Sequence, residues 1–173
     1  MKKIKDIKIF KSTAFKDKRG HFMEIYKKNK ISSKELIFDC YSYSKKNVLR
    51  GLHIQTKNPQ AKFLTVLKGS IFDVALDLRN NSKTFGKYYS IILSTKNYCS
   101  IYIPEGFAHG FYTLDKENIV LYSCSNYRDK NSESGILWND KDVNINWPAK
   151  DPILSTKDKK NLSFQEYCRK FVL

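Results

Sequence analysis

A chain of 173 residues, 41% hydrophobic and 28% charged, can bury a full core without metal or disulfide staples, and is expected to form a single domain, 1–173. No apolar run approaches the roughly 18 to 20 residues needed to span a bilayer, so a membrane protein is not expected. The formal net charge of +15 rests on 32 basic residues, of which only Arg19, Arg50, Arg79, Arg128 and Arg169 are arginine. Lysines are scattered singly and in pairs, and no nucleic-acid-binding signature accompanies them, so nucleic acid is not the expected partner. A positive field steers a small anionic substrate equally well.

In chain order, the N-terminal MKKIKDIKIFKS alternates Lys with Ile and Phe. It lacks the continuous apolar core and cleavage site of a signal peptide, reads as a first strand with lysines facing solvent, and implies a cytoplasmic protein. Helical spacing is weak except near Ser32–Leu36 and in the tail, Ser163–Phe171. Strand patterns dominate: Ile71–Leu78, Tyr88–Leu93, Ser100–Ile103 and Ile119–Ser125 are β-branched, aromatic or alternating. Turn chemistry separates them at Lys68-Gly69, Arg79–Gly86, Pro104-Glu105-Gly106 and Asp115–Asn118. Strands at this spacing predict an all-β sandwich or barrel, which as a closed jelly roll holds a central cavity. Cys40, Cys99, Cys124 and Cys168 form no CxxC pair and are expected to be reduced thiols, mostly packed as small hydrophobes.

The polar residues that carry chemistry lie in five separated segments. His53, after Arg50-Gly51-Leu52, is either a base working near neutral pH or a core histidine satisfied by a carbonyl. Lys62 in QAKFLTV points inward if the strand continues, where an ammonium could stabilise an oxyanion; otherwise it is one more surface lysine. His109 sits in GFAHGF between Gly and aromatics, a context suited to a cavity wall. Tyr122 in IVLYSCS reads equally as a half-buried strand residue, and Asp158 in ILSTKD equally as a cap for the following turn. A His-x-His metal pair is not available, because Gln55 stands two after His53 and the only other histidines are His21 and His109. No metal is expected.

As an ordered set, FKDKRGHFMEIY (Phe15–Tyr26), VLRGLHIQ (Val48–Gln55), PQAKFLTVLKGSIFDVALDLR (Pro59–Arg79), TFGK (Thr84–Lys87), IPEGFAHGF (Ile103–Phe111), GILWND (Gly135–Asp140), INWP (Ile145–Pro148) and ILSTKD resemble the dTDP-4-dehydrorhamnose 3,5-epimerase family. The resemblance implies a double-stranded β-helix (cupin jelly roll) with short peripheral helices, and a homodimer that exchanges strands. It also implies cofactor-free inversion of carbons beside the ketone of a nucleotide-diphosphate 4-keto-6-deoxy sugar, feeding surface-polysaccharide synthesis. By resemblance His53 is the base oriented by Asp158, Tyr122 the acid on the opposite face, and Lys62 the cation at the carbon-4 oxygen. Asp73 and His109 support the cavity, Arg50 reaches the diphosphate, and Gln55 and Arg128 fall among the substrate-binding positions. Arg19, Phe22 and Glu24 match a strand that contacts the nucleotide in the partner's site. The family usually carries Gln and Asn where this chain has Phe38 and Cys40, and a second tyrosine where it has Arg128. These departures leave open inversion of a single carbon, or another nucleotide sugar such as a GDP-linked heptose. More distant alternatives are a ketoisomerase on the same fold and a non-catalytic sugar-nucleotide-binding barrel.

Overall fold

The structure is a computed structural model that describes residues 4–31 and 35–172. Strands β1 (Lys8–Lys11), β9 (Cys99–Ile103), β6 (Lys62–Lys68), β11 (Glu117–Cys124) and β4 (Phe38–Lys45) form one antiparallel sheet in that spatial order. Strands β12 (Glu133–Gly135), β5 (Leu49–Gln55), β10 (Phe107–Thr113), β7 (Ser70–Asp77) and β8 (Tyr88–Ser94) form the second. The two face each other as a jelly roll, while β2 (Ala14–Asp17) and β3 (Gly20–Met23) pair as a separate hairpin.

The side-chain period of two explains the layering. On β7, Ile71 and Ala75 join Leu64, Val66, Ile101, Phe111 and Val120 in the core between the sheets. Val74 and Leu76 face the other way, against Leu52, Ile136, Trp147 and Tyr167. The second sheet is therefore buried on both faces, and β10 is buried at every position. This is why its strands read as nearly continuous apolar runs rather than strict alternation.

The outer layer comes from the C-terminal segment. Parallel bridges pair Val48 with Ile153 and Ile136 with Leu162, and the Asn161 amide donates to the Gly51 carbonyl at 3.2 Å. Residues 153–162 are thereby laid beside β5. The segment ends in α1 (Phe164–Phe171), which begins with a reciprocal capping box: the Ser163 hydroxyl accepts from the Glu166 N–H, and the Glu166 carboxylate accepts from the Ser163 N–H.

The four predicted strands and the tail helix are present with small shifts of their ends. At Asp115–Asn118 the expected turn is shorter, because β11 already begins at Glu117. Asn118 is fully buried there, its amide oxygen accepting from the Ser70 N–H and its amide group donating to the Asp115 and Ser44 carbonyls. The Asn thus does the work of a turn residue from inside the sheet. Of the helical pattern at Ser32–Leu36, residues 32–34 lie outside the described residues and residues 35–37 have no helical structure. In β1, Lys8 and Lys11 are exposed as expected of a strand with solvated lysines.

Candidate active site

A cavity of about 360 Å³ opens between the two sheets, within the range of small-molecule sites. The second sheet contributes His53, Arg50 and Gln55 from β5 and His109 from β10; the first contributes Lys62 from β6, Tyr122 and Cys124 from β11, and Phe38, Cys40 and Ser42 from β4.

A local irregularity places Arg50 and His53 together. Residues three apart on a regular strand face opposite sides, yet Phe111 pairs with Arg50 and His109 pairs with His53, with a bulge between. Gly51 fills the bulge at φ +130°, and a Cβ there would lie 2.5 Å from the Gly110 Cα. Only glycine combines that φ with so close a backbone approach. The extra residue returns both Arg50 and His53 to the cavity side.

His53 is tethered to Asp158, whose Oδ1 lies 2.5 Å from its Nε2. Asp158 is buried, and its second oxygen accepts from the Ser155 hydroxyl at 2.7 Å. Burial raises the Asp158 carboxyl, but the His53 contact, the Ser155 hydroxyl and the Gly51 N–H outweigh it and hold the group below its ordinary value. The ionised carboxylate therefore accepts the hydrogen bond from Nε2–H and fixes the tautomer with a lone pair on Nδ1. The side chain does not cap the turn it begins at Asp158–Lys160, the other reading open from sequence.

On the opposing sheet, Lys62 shares its face with Leu64 and Val66 of the inner core, which settles its direction. Among the described residues it has no ion pair. Burial lowers its ammonium from the ordinary value, opposed by the nearby Cys124, Asp73, Cys40 and Glu133. The Tyr122 hydroxyl lies 3.1 Å from the Ser42 hydroxyl, and its ring meets His109 edge-on at 6.4 Å. Burial, the largest influence, raises the Tyr122 hydroxyl well above its ordinary value, so the proton stays on at neutral pH.

Asp73 stands behind the wall, fully buried, with Oδ2 2.7 Å from the His109 Nε2. Arg50 is held by the Ser44 hydroxyl at 2.9 Å and the Tyr43 carbonyl at 3.0 Å. Gln55 uses its amide to brace the loop at Asn58, Tyr127 and Asp129. Arg128 lines the mouth and pairs with Glu133 through both Nε and Nη2, while Lys157 reaches the same carboxylate. These two cations bring Glu133 down to about 2, with Arg128 the stronger influence and burial opposing it. Arg19, Phe22 and Glu24 do not join this cavity: they lie on or beside the β2–β3 hairpin, where Arg19 folds back onto Asp17 and Phe22 packs on Phe15. Among the described residues no cluster of His, Cys, Asp and Glu could hold a metal ion.

Four supporting residues escaped the sequence reading: Ser42, Ser44, Ser155 and Glu133. Ser42 and Ser44 alternate on β4 in step with Cys40, which was a usable sign of a shared polar face. Ser155 precedes Asp158 by three residues, but nothing local joins either to His53, 105 residues away.

The sequence profile of the dTDP-4-dehydrorhamnose 3,5-epimerase family matches residues 1–166. The chain belongs to that family. It is 45% identical to the dTDP-4-dehydrorhamnose 3,5-epimerase of Salmonella typhimurium over 164 residues, covering 90% of this chain and 88% of that protein. The enzyme of the same name from Neisseria gonorrhoeae is 43% identical over 158 residues, 88% of this chain, and the match spans only 48% of that longer protein. The dTDP-6-deoxy-D-glucose-3,5-epimerase of Legionella pneumophila, solved with dTDP-4-keto-L-rhamnose, superposes with a TM-score of 0.94 at 35% identity, covering 99% of this chain and 94% of that one. The fold of this family member is thus the cupin-like jelly roll expected from sequence, and its class of chemistry is that of a sugar epimerase.

Proposed function

We propose that the chain epimerises dTDP-4-keto-6-deoxyglucose at carbons 3 and 5. The observation that carries this is the placement of the His53–Asp158 pair on one sheet, across a cavity from Tyr122 and Lys62 on the other. His53, with its tautomer fixed by Asp158, removes a proton from a carbon beside the ketone. The electron pair moves into the carbon-4 carbonyl, and the Lys62 ammonium stabilises the enolate oxygen. The Tyr122 hydroxyl returns a proton from the opposite side, which inverts the centre. Arg50 and the mouth cations Arg128 and Lys157 suit the diphosphate.

The test is proton NMR of dTDP-4-keto-6-deoxyglucose with enzyme in deuterated water. Loss of both signals, at carbons 3 and 5, is expected; loss of one alone would make this a single-carbon enzyme, and loss of neither would overturn the substrate. In the same assay Tyr122→Phe should still exchange the substrate protons while product formation falls on the order of 100-fold. Equal loss of both steps would remove Tyr122 as the acid.

Residues 1–173 act here as one catalytic unit, supported by the two core clusters that share β7 and β10. A homodimer with exchanged strands is supported by the outer face of the first sheet, where Tyr41 is 70% exposed and Leu67 44%, and by Phe15 and Phe22 on the hairpin. Arg19, Phe22 and Glu24 then serve the partner's cavity. Sedimentation should give twice the 20.3 kDa chain mass, and a single-chain mass would exclude the arrangement. Four free thiols support a cytoplasmic location, which cell fractionation tests; no helix among the described residues is long and apolar enough to cross a membrane.

A further inference from the structure

Two cysteines of the cavity have no part in the mechanism above. Cys40 pairs with Tyr122 across β4 and β11, and Cys124 pairs with Lys62 across β11 and β6, so both thiols share the inner wall with the catalytic side chains. They differ in access: Cys40 is exposed and Cys124 is buried.

We propose that Cys40 is a modification site whose thiolate exchanges with low-molecular-weight disulfides, leaving an adduct that fills the substrate cavity until a dithiol removes it. The Cys40 sulfur attacks one sulfur of the disulfide and the S–S bond breaks. The other half leaves as a thiolate that takes a proton from water, so Cys40 is oxidised to a mixed disulfide and one thiol is released.

Reactive cysteines need access and an electropositive setting, and Cys40 has both. The groups that face it are Cys124 and Tyr122 on β11, Lys62 on β6, Arg128 after β11, and its own neighbour Asp39. The Cys124 thiol hydrogen-bonds Cys40, and this contact, with Lys62 and Arg128, brings Cys40 to about 7 against the opposing effects of burial and Asp39. The same contact and burial push Cys124 up.

The other thiols lack these features. Cys99 turns its sulfur toward the Asn97 carbonyl, and burial and the Asp140 and Asp142 charges raise Cys168. A Cys40–Cys124 disulfide is not the expected product, because diagonal partners on adjacent strands stand about 7–8 Å apart at Cα, beyond the roughly 4.4–6.8 Å that a disulfide spans.

The test is titration of the full chain with 4,4′-dithiodipyridine, with the label located by peptide mass spectrometry. One fast equivalent on Cys40 is expected, with a pH midpoint about 7, slowed by dTDP and lost in Cys40→Ser. Epimerase activity should fall in step with labelling and return with dithiothreitol, and whatever activity Cys40→Ser retains should resist the reagent. Fast label on Cys99, Cys124 or Cys168, an intramolecular disulfide, no protection by dTDP, or full activity in the labelled enzyme would each overturn the proposal. Labelling and dTDP protection are read without turnover, so failure of the proposed reaction and failure of this site give different results.

Discussion

His53→Ala is expected to lower solvent exchange at both substrate carbons by about 10²- to 10⁴-fold, the usual worth of a positioned general base. The geometry makes this a test of chemistry rather than of folding. The His53 side chain is 36% exposed at the cavity wall, and its loss leaves Asp158 with the Ser155 hydroxyl and the Gly51 N–H to satisfy the carboxylate. The thermal midpoint should therefore move little. Both exchange reactions should fall together, because one imidazole serves both carbons in this arrangement. Exchange within tenfold of the native enzyme at either carbon would show that another group removes that proton. Of the cavity-lining candidates His109 is then next in line, but its ring is buried and its Nε2 is committed to Asp73.

How far the sequence disclosed this site depends on the range of the interactions. Strand period set Lys62 on one face with Leu64 and Val66 of the inner core, but Phe63 on the other face is apolar too, so the family resemblance and not periodicity chose its direction. The strand at Ile71–Leu78 was legible from its alternation, and so was the tail helix, since capping is local. Arg50 and His53 were not legible as cavity neighbours from periodicity alone. A strict period of two sets them on opposite faces, and only the bulge at Gly51, paired against Gly110 on a strand far along the chain, reverses one of them. The role of Asp158 was hidden by a similar distance: a carboxylate after Ser-Thr-Lys looks like a turn cap, and its tie to His53 exists only because the C-terminal segment is bridged onto β5. The family resemblance supplied both assignments, which periodicity could not. Arg19, Phe22 and Glu24 mark the remaining boundary, since side chains that serve a partner's cavity leave no trace in the packing of one chain.

Lys62→Met is expected to lower kcat by about 100- to 1,000-fold, the typical cost of losing one preorganised charge at a developing oxyanion. Met keeps most of the apolar stem and removes the ammonium, so the inner wall beside Leu64 stays filled. The charge that Lys62 answers forms only as the proton leaves, and a contact realised only in the transition state appears in kcat with KM little changed. Two other roles predict different kinetics. A lysine that held the ground-state diphosphate would raise KM and spare kcat, and a lysine of no consequence would change both by less than a few-fold. Stability separates the cases further. Burial already acts against the ammonium, and among the described residues no carboxylate pairs with it, so replacing it with Met should leave the thermal midpoint unchanged or raise it. A large loss of kcat in a protein at least as stable as the native one would show that this lysine is held in the cavity wall at a cost to folding and for the sake of the enolate.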